Sequence, residues 1–344
     1  MSDAASLLAP SRRAVLAAGL GLMATTGRAA EPVATVRRLS PELDRILAPD
    51  AAFQTIATGV RWAEGPVWLP DERALLFSDP PANIVRRWSR PDGVSVFLSP
   101  SGAADADPKL IREPGANGLA LDGTGALLIA DSGNRALHRL DLRSRRRTVL
   151  LERYRGRRFN SPNDLHVARD GAIWFTDPPY GLADGDRSPL KELEHNGVYR
   201  WRPGSEPVLI DAELTRPNGV ALSPDERRLV VSVSDEAAPR IMAYDLDRAG
   251  DVRDRRVFVD FAGRPGPGLP DGLKIAPDGT IFATAPGGLH ILTPEGEPLG
   301  LIATGGPIAN CAFGEGGAAL FLAADDRVLR VPLRRHAERP PAAD

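Results

Sequence analysis

Asn163-Asp-Leu-His-Val-Ala-Arg-Asp-Gly-Ala-Ile-Trp-Phe-Thr176 places a polar side chain, a few alternating apolar residues, an Asp turn and an apolar strand in a fixed order. The same phrase opens at Glu64-Gly-Pro-Val-Trp, Asn117-Gly-Leu-Ala-Leu, Asn218-Gly-Val-Ala-Leu, Asp271-Gly-Leu-Lys-Ile and Asn310-Cys-Ala-Phe. In four copies the leading residue stands seven positions before the turn Asp: Glu64 and Asp71, Asn163 and Asp170, Asn218 and Asp225, Asp271 and Asp278. Strand-like runs follow at 74–78, 126–130, 172–176, 228–233, 280–284 and 319–323. Repeats spaced about 50 residues apart, with a last interval nearer 40, mark a propeller or a solenoid, and the strand that ends each unit favours propeller blades. The expected fold is all-β, a six-bladed β-propeller of four strands per blade over residues 51–333. Strands near 55–60 and 328–331 are candidates to latch the ring.

Radial repetition turns a linear pattern into a circle. Glu64, Asn117, Asn163, Asn218, Asp271 and Asn310 are therefore expected to converge at one mouth of the central channel. Such a ring offers only oxygen, and hard oxygen donors select Ca²⁺, Mg²⁺ or Mn²⁺, with Zn²⁺ the least suited. Glu64 and Asp271 would neutralise one divalent ion, and the amide oxygens of Asn163 and Asn218 would complete its shell; Ca²⁺ is the first choice. Taken singly, Asn117, Asn218 and Asp271 read as hairpin turns, because Asn-Gly and Asp-Gly are turn dipeptides. Glu64 does not read that way, and the shared register argues for ligation.

Other chemistry finds less support. No Gly-x-Ser-x-Gly elbow is present, and Ser161 and Ser223 precede prolines in turn-like settings. His166 on an inner-type strand reads as a buried histidine first and a proton relay second, and His195 as a loop histidine. The single Cys311 excludes an intramolecular disulfide and reads as a buried structural thiol. A formal charge of −2 gives no electrostatic case for nucleic acid or an anionic membrane surface. The arginine runs at 143–147 and 153–158 lack interleaved aromatics and read as solvated loop faces. With 34 Gly and 32 Pro the chain suits a turn-rich β fold more than a helical one.

The N-terminus has its own logic. Ser11-Arg-Arg-Ala-Val-Leu16 opens a short apolar stretch ending near Ala24, with small residues at Gly27 and Ala29. Paired arginines before a weakly apolar run read as a twin-arginine export signal over 1–29, implying a periplasmic or secreted protein. Residues 30–50 are expected to be a linker and 334–344 a tail. The apolar stretch is too short for a secure membrane span, so no stable membrane association is expected.

Asn160-Ser-Pro-Asn-Asp-Leu-His-Val-Ala-Arg-Asp-Gly-Ala-Ile-Trp-Phe-Thr-Asp-Pro-Pro-Tyr-Gly181 resembles the signature of the senescence marker protein/gluconolactonase family, in its bacterial gluconolactonase branch. Glu64-Gly-Pro-Val-Trp68, Leu76-Phe-Ser-Asp79, Arg216-Pro-Asn-Gly-Val-Ala-Leu-Ser-Pro-Asp-Glu226 and Pro270-Asp-Gly-Leu-Lys274 support it, over roughly 51–333. The resemblance implies a six-bladed propeller with one divalent cation in its tunnel and hydrolysis of a small-molecule sugar lactone. It further implies Glu64, Asn218 and Asp271 as core ligands, Asn163 on metal or substrate, and Asp271 as general base. Asp177 and Tyr180, after the blade-three strand, are expected to shape the mouth and meet substrate together with Asn117, Asn163 and Asn310, a turn or packing role being the equal alternative for Asp177 and Tyr180. Ser161 stands where animal lactonases carry a substrate-binding Arg, and Asp131-Ser-Gly133 lacks the His that many bacterial relatives place before that Gly. Two other readings share the scaffold: a propeller esterase or organophosphate hydrolase, and a non-catalytic binding propeller with a structural cation.

Overall fold

The computed structural model describes residues 33–334. The expected export signal and all of the expected tail but Arg334 lie outside them. Six antiparallel sheets stand in a ring. The first blade is Glu64–Leu69, Ala74–Asp79, Ile84–Ser89 and Gly93–Leu98, and the second is Ala116–Leu121, Leu127–Asp131, Ala136–Leu140 and Arg147–Leu151. Blade three comprises Leu165–Val167, Ile173–Asp177, Gly197–Trp201 and Val208–Asp211, and blade four Pro217–Leu222, Arg228–Val233, Arg240–Leu246 and Val252–Asp260. The fifth runs Leu273–Ile275, Ile281–Ala285, Gly288–Leu292 and Pro298–Ala303; the sixth begins Asn310–Gly314, Ala319–Ala324 and Arg327–Pro332.

The sixth blade takes its outer strand from the other end of the chain. Gln54–Thr58 pairs antiparallel with Arg327–Pro332, setting Thr55 opposite Leu329, which is the latch the sequence suggested. Trp68 of the first blade stacks on Phe321 of the sixth with ring centroids 5.3 Å apart, and Trp88 tilts against the same ring. Residues expected to be a linker also join the fold. Thr35–Arg38 adds a fifth strand to blade five, and Ser40 Oγ accepts the Glu42 N–H to cap the 3₁₀ turn Pro41–Arg45. That turn buries Leu43, and Leu47 just beyond it, against Ile302, Leu320 and Leu329. Apolar side chains there favour docking over a solvated tether.

Four turn Asp residues serve the hairpins that follow them. Asp122, Asp170, Asp225 and Asp278 accept N–H groups of Thr124, Ala172, Arg227 and Thr280 at 2.8–3.1 Å, the local bonding that makes Asp a turn residue. The second strand of every blade is covered on both faces by neighbouring blades and is almost wholly buried. One arginine run departs from its expected solvated character: Arg147 turns inward, pairing with buried Asp131 and donating to the Ser101 carbonyl at 2.6 Å.

Candidate active site

The Asn-Gly and Asp-Gly dipeptides of the ring, at Asn117, Asn218 and Asp271, are not hairpin turns. Asn117 and Asn218 sit second in their innermost strands, Glu64 and Asn310 first, and Asn163 and Asp271 two residues ahead of theirs. The glycine after a ring residue is required by the neighbouring blade. A Cβ on Gly65 would lie 2.0 Å from the Asn117 carbonyl oxygen, and one on Gly219 would lie 2.3 Å from that of Asp271. Hydroxyls on the second strands stitch the same seam: Ser78 Oγ donates to the Asn117 carbonyl and Thr176 Oγ1 to that of Asn218, both at 2.7 Å. Asn117 and Asn218 are therefore fixed by the backbone of their own blade and a side chain of the preceding one.

A cavity of about 1000 Å³ opens above this ring. Glu64, Asn117, Asn163, Asn218, Asp271 and Tyr180 all line it. The Asn117 and Asn163 side chains make no hydrogen bond among the described residues and open onto the cavity. Asn218 donates from Nδ2 to Ser234 Oγ at 3.0 Å, leaving its amide oxygen for a ligand. Glu64 is buried and accepts from the Gly65 N–H at 2.8 Å and from Asn310 Nδ2 at 3.2 Å on Oε2. Asp271 Oδ1 is buried with no hydrogen-bond partner. The Tyr180 hydroxyl is likewise unpartnered, and burial raises its pKa.

Two residues expected to contact substrate are placed elsewhere. Asp177 is fully buried and outside the cavity wall; its two oxygens accept the N–H groups of Asn160 and Ser161, each at 2.8 Å. It pins the turn that delivers Asn163, and burial pushes its carboxyl up to about 7. Asn310 stands behind Glu64 and off the wall, where its side-chain oxygen accepts from Lys274 Nζ at 3.2 Å and the Cys311 N–H at 2.9 Å. Ser161 is also structural, donating to the Pro178 carbonyl at 2.6 Å and accepting from the Gly181 N–H at 2.9 Å. Buried Cys311 has its thiol pushed up to about 12 by burial, as suits an inert thiol. His166 lies beyond the cavity, in a smaller pocket among the far ends of the innermost strands with Lys274, Val67 and Phe313. His195 bonds Tyr199 through Nε2 at 2.7 Å and does not line the wall.

The structure adds residues that the repeat did not single out. Asp164, next to Asn163, lies 3.6 Å from Lys274 Nζ at the base of the ring. Glu113 and Arg112 line the wall from the loop ahead of blade two, and Arg216 pairs with Asp186 at the rim. Lys274 had a signal in sequence, since it fills a position that is Ala in the Asn117 and Asn218 copies.

Electrostatics define what the ring can hold. Burial pushes Glu64 up to about 7, with Asp164 adding to the rise. Burial, then the carboxylates of Glu64, Asp164 and Glu113, hold Asp271 well above the usual carboxylate range. Among the described residues no three His, Cys, Asp or Glu side chains gather at metal-ligating spacing. The available donors are instead two carboxylates and the amide oxygens beside them. A buried, unpartnered Asp271 oxygen facing a second carboxylate and open amides is a donor set that fits a hard divalent cation.

Known proteins resemble this chain over most of its length. A gluconolactonase of Zymomonas mobilis is 47% identical over 306 residues, spanning 87% of this chain and 86% of that protein. Lactonohydrolase oryL of Aspergillus oryzae is 26% identical over 279 residues, 73% of this chain and 62% of that protein. The solved structure of XC5397 from Xanthomonas campestris, described as a gluconolactonase important in glucose secondary metabolic pathways, superposes with a TM-score of 0.75 at 34% identity, covering 87% and 94% of the two chains. Residues 62–324 match the profile described as SMP-30/Gluconolactonase/LRE-like region. Covering most of the propeller, that match assigns the chain to the SMP-30/gluconolactonase/LRE-like family.

Proposed function

We propose that this protein hydrolyses a sugar lactone in the cavity above the ring, using water and a divalent cation. The observation that carries the reading is the convergence of Glu64, Asn163, Asn218 and Asp271 on one cavity, with a buried Asp271 oxygen left without a partner. Likeness to lactone-opening enzymes over most of the chain supports the reaction class. Glu64, Asp271, Asn218 and Asn163 would hold the cation, Ca²⁺ in the first instance, which when bound supplies Lewis-acid polarisation of a carbonyl.

The chain's own groups do the rest. Asp271 orients the attacking water and takes its proton, a role worth roughly 10² to 10⁴ in rate. Gly65 and Asn310 fix the Glu64 carboxylate, so that the ring is set before substrate arrives. Asn117 and Tyr180 both line the cavity, and such polar lining suits a polyhydroxylated ligand. The volume of about 1000 Å³ admits a hexose-sized lactone with room for water.

Acid release from glucono-1,5-lactone by the purified protein, before and after chelation and with Ca²⁺, Mg²⁺ or Mn²⁺ restored, tests the reading. Activity lost to chelator and recovered with one of these ions supports it; inactivity of cation-loaded protein on a panel of sugar lactones overturns it. Export through the paired arginines is part of the same proposal. Retention of the full-length protein in the cytoplasm of cells with an intact twin-arginine pathway would refute that part.

A further inference from the structure

Opening a lactone needs two proton transfers at two places. The attacking water loses a proton on one side of the carbonyl carbon, and the departing ring oxygen gains one a bond away. Asp271 enters the cavity from blade five. In a ring of six, blade two stands opposite blade five, and the loop ahead of blade two sets Glu113 on the wall of the same cavity.

We propose that the Glu113 carboxyl group is the proton donor to the departing ring oxygen. The assignment rests on the lactonase reading above and deepens it. The loop that carries Glu113 is held from two sides: Arg112 N–H donates to the Gly181 carbonyl at 2.8 Å, and Gly115 N–H to the Pro80 carbonyl at 3.0 Å. Ile111 also bridges to Leu182. Glu113 is thus carried on backbone fixed to blades one and three. Its side chain is mostly buried, yet its carboxylate makes no hydrogen bond among the described residues, and its ion-pair partner is the more exposed Arg112 at 3.6 Å.

The other carboxylates of the upper wall are already engaged or stand in solvent. Asp186 pairs with Arg216 and accepts from Asn196 Nδ2. Asp235 accepts the Thr215 hydroxyl on one oxygen and the Ala237 N–H on the other. Glu236 is exposed at the rim. Burial pushes the Glu113 carboxyl up to about 7, against the pull of Arg112, so near neutral pH a substantial fraction carries the proton a general acid needs.

The step balances. Water oxygen bonds to the carbonyl carbon as its proton passes to Asp271, and the carbonyl π pair moves to the carbonyl oxygen. When that pair returns, the bond from carbon to the ring oxygen breaks. The released pair takes the Glu113 proton, leaving the open hydroxy acid; Asp271 then gives its proton to solvent water and Glu113 takes one from solvent at the mouth, which restores both carboxyl groups.

Leaving-group dependence separates this role from a structural one. Glucono-1,5-lactone expels an alkoxide, which needs the proton, whereas dihydrocoumarin expels a phenoxide, which needs it far less. Glu113→Gln should lower kcat on the sugar lactone about 10² to 10³-fold with KM little changed, and lower it less than about tenfold on dihydrocoumarin. Equal losses on both substrates, or an unaltered kcat on the sugar lactone, overturn the assignment while the wild type remains a lactonase. A cation-loaded wild type inactive on sugar lactones overturns the lactonase reading and the assignment with it. Should the Gln variant fold poorly, Glu113→Ala with added formate replaces it: partial recovery of turnover supports the donor role, and none refutes it.

Discussion

Removing the Lys274 ammonium while keeping the length of its side chain, as in Lys274→Met, should destabilise the propeller, and a second substitution at Asp164 should restore much of the loss. Asp164 Oδ2 is buried with no hydrogen bond, and Lys274 Nζ stands 3.6 Å from it, the only salt-bridge partner of Asp164 among the described residues. At an effective dielectric of about 20, Coulomb's law gives roughly 5 kcal/mol of attraction at that distance. Losing one partner of a buried pair costs about 3 to 5 kcal/mol. Lys274 is partly exposed, so the lower end applies, and about 3 kcal/mol corresponds to a fall in Tm of roughly 6 to 12 °C.

Urea unfolding of wild type, Lys274→Met, Asp164→Asn and the double variant, all in chelator, closes a double-mutant cycle. The double variant should be more stable than the summed single losses imply by at least about 1.5 kcal/mol. Lys274 also opposes the charge of the ring, so the gain in Tm on adding Ca²⁺ should be larger in Lys274→Met than in wild type. Additivity within about 0.5 kcal/mol would refute the coupling and reduce Lys274 to a spacer between Asn310 and the channel.

Three other expectations follow from single sites. Burial and then Lys274 push His166 down from 6.5 to about 4, so the unfolded chain takes up its proton first and stability falls as pH drops from 6.5 towards 4; the loss, roughly 3 kcal/mol, should largely vanish from the pH dependence of urea unfolding in His166→Phe. Phe321→Ala opens the seam between the first and last blades and should cost about 3 to 5 kcal/mol by the same assay, with no comparable drop in kcat for the fraction that remains folded. Asp271→Asn should lower kcat on glucono-1,5-lactone at least about 10²-fold with the cation still bound, as calorimetry would report; unchanged turnover would remove Asp271 from the base role.

The second strand of each blade was legible because both of its faces are covered, which writes a continuous apolar run into the chain. Outer strands such as Gly93–Leu98 and Val208–Asp211 are half-exposed edges whose sequence carries no comparable pattern. Thr35–Arg38 reads as a linker for the same reason, since its place in blade five depends on apolar contacts made by Leu43 and Leu47 several residues later. The ring itself was legible because symmetry maps equal positions in the phrase onto equal positions around the axis.

Direction of approach is what the repeat leaves open. Asp177 closes its strand as Asp79 and Asp131 close theirs, and nothing local says whether such a carboxylate turns to substrate or to backbone N–H groups; here the N–H groups of Asn160 and Ser161, which donate to it, decide it. Asn310 leads its copy as Asn117 does, yet it bonds Glu64 because the last blade closes against the first, so its side chain meets a neighbour 246 residues away. Glu113 belongs to no copy of the phrase, and its importance arises from which blade stands opposite blade five. Contacts made around the ring follow the order of the repeat, whereas contacts made across it depend on loops held by blades on either side. A site assembled from both kinds shows its ring of carboxylates and amides in sequence and the loop-borne part of its wall only in three dimensions.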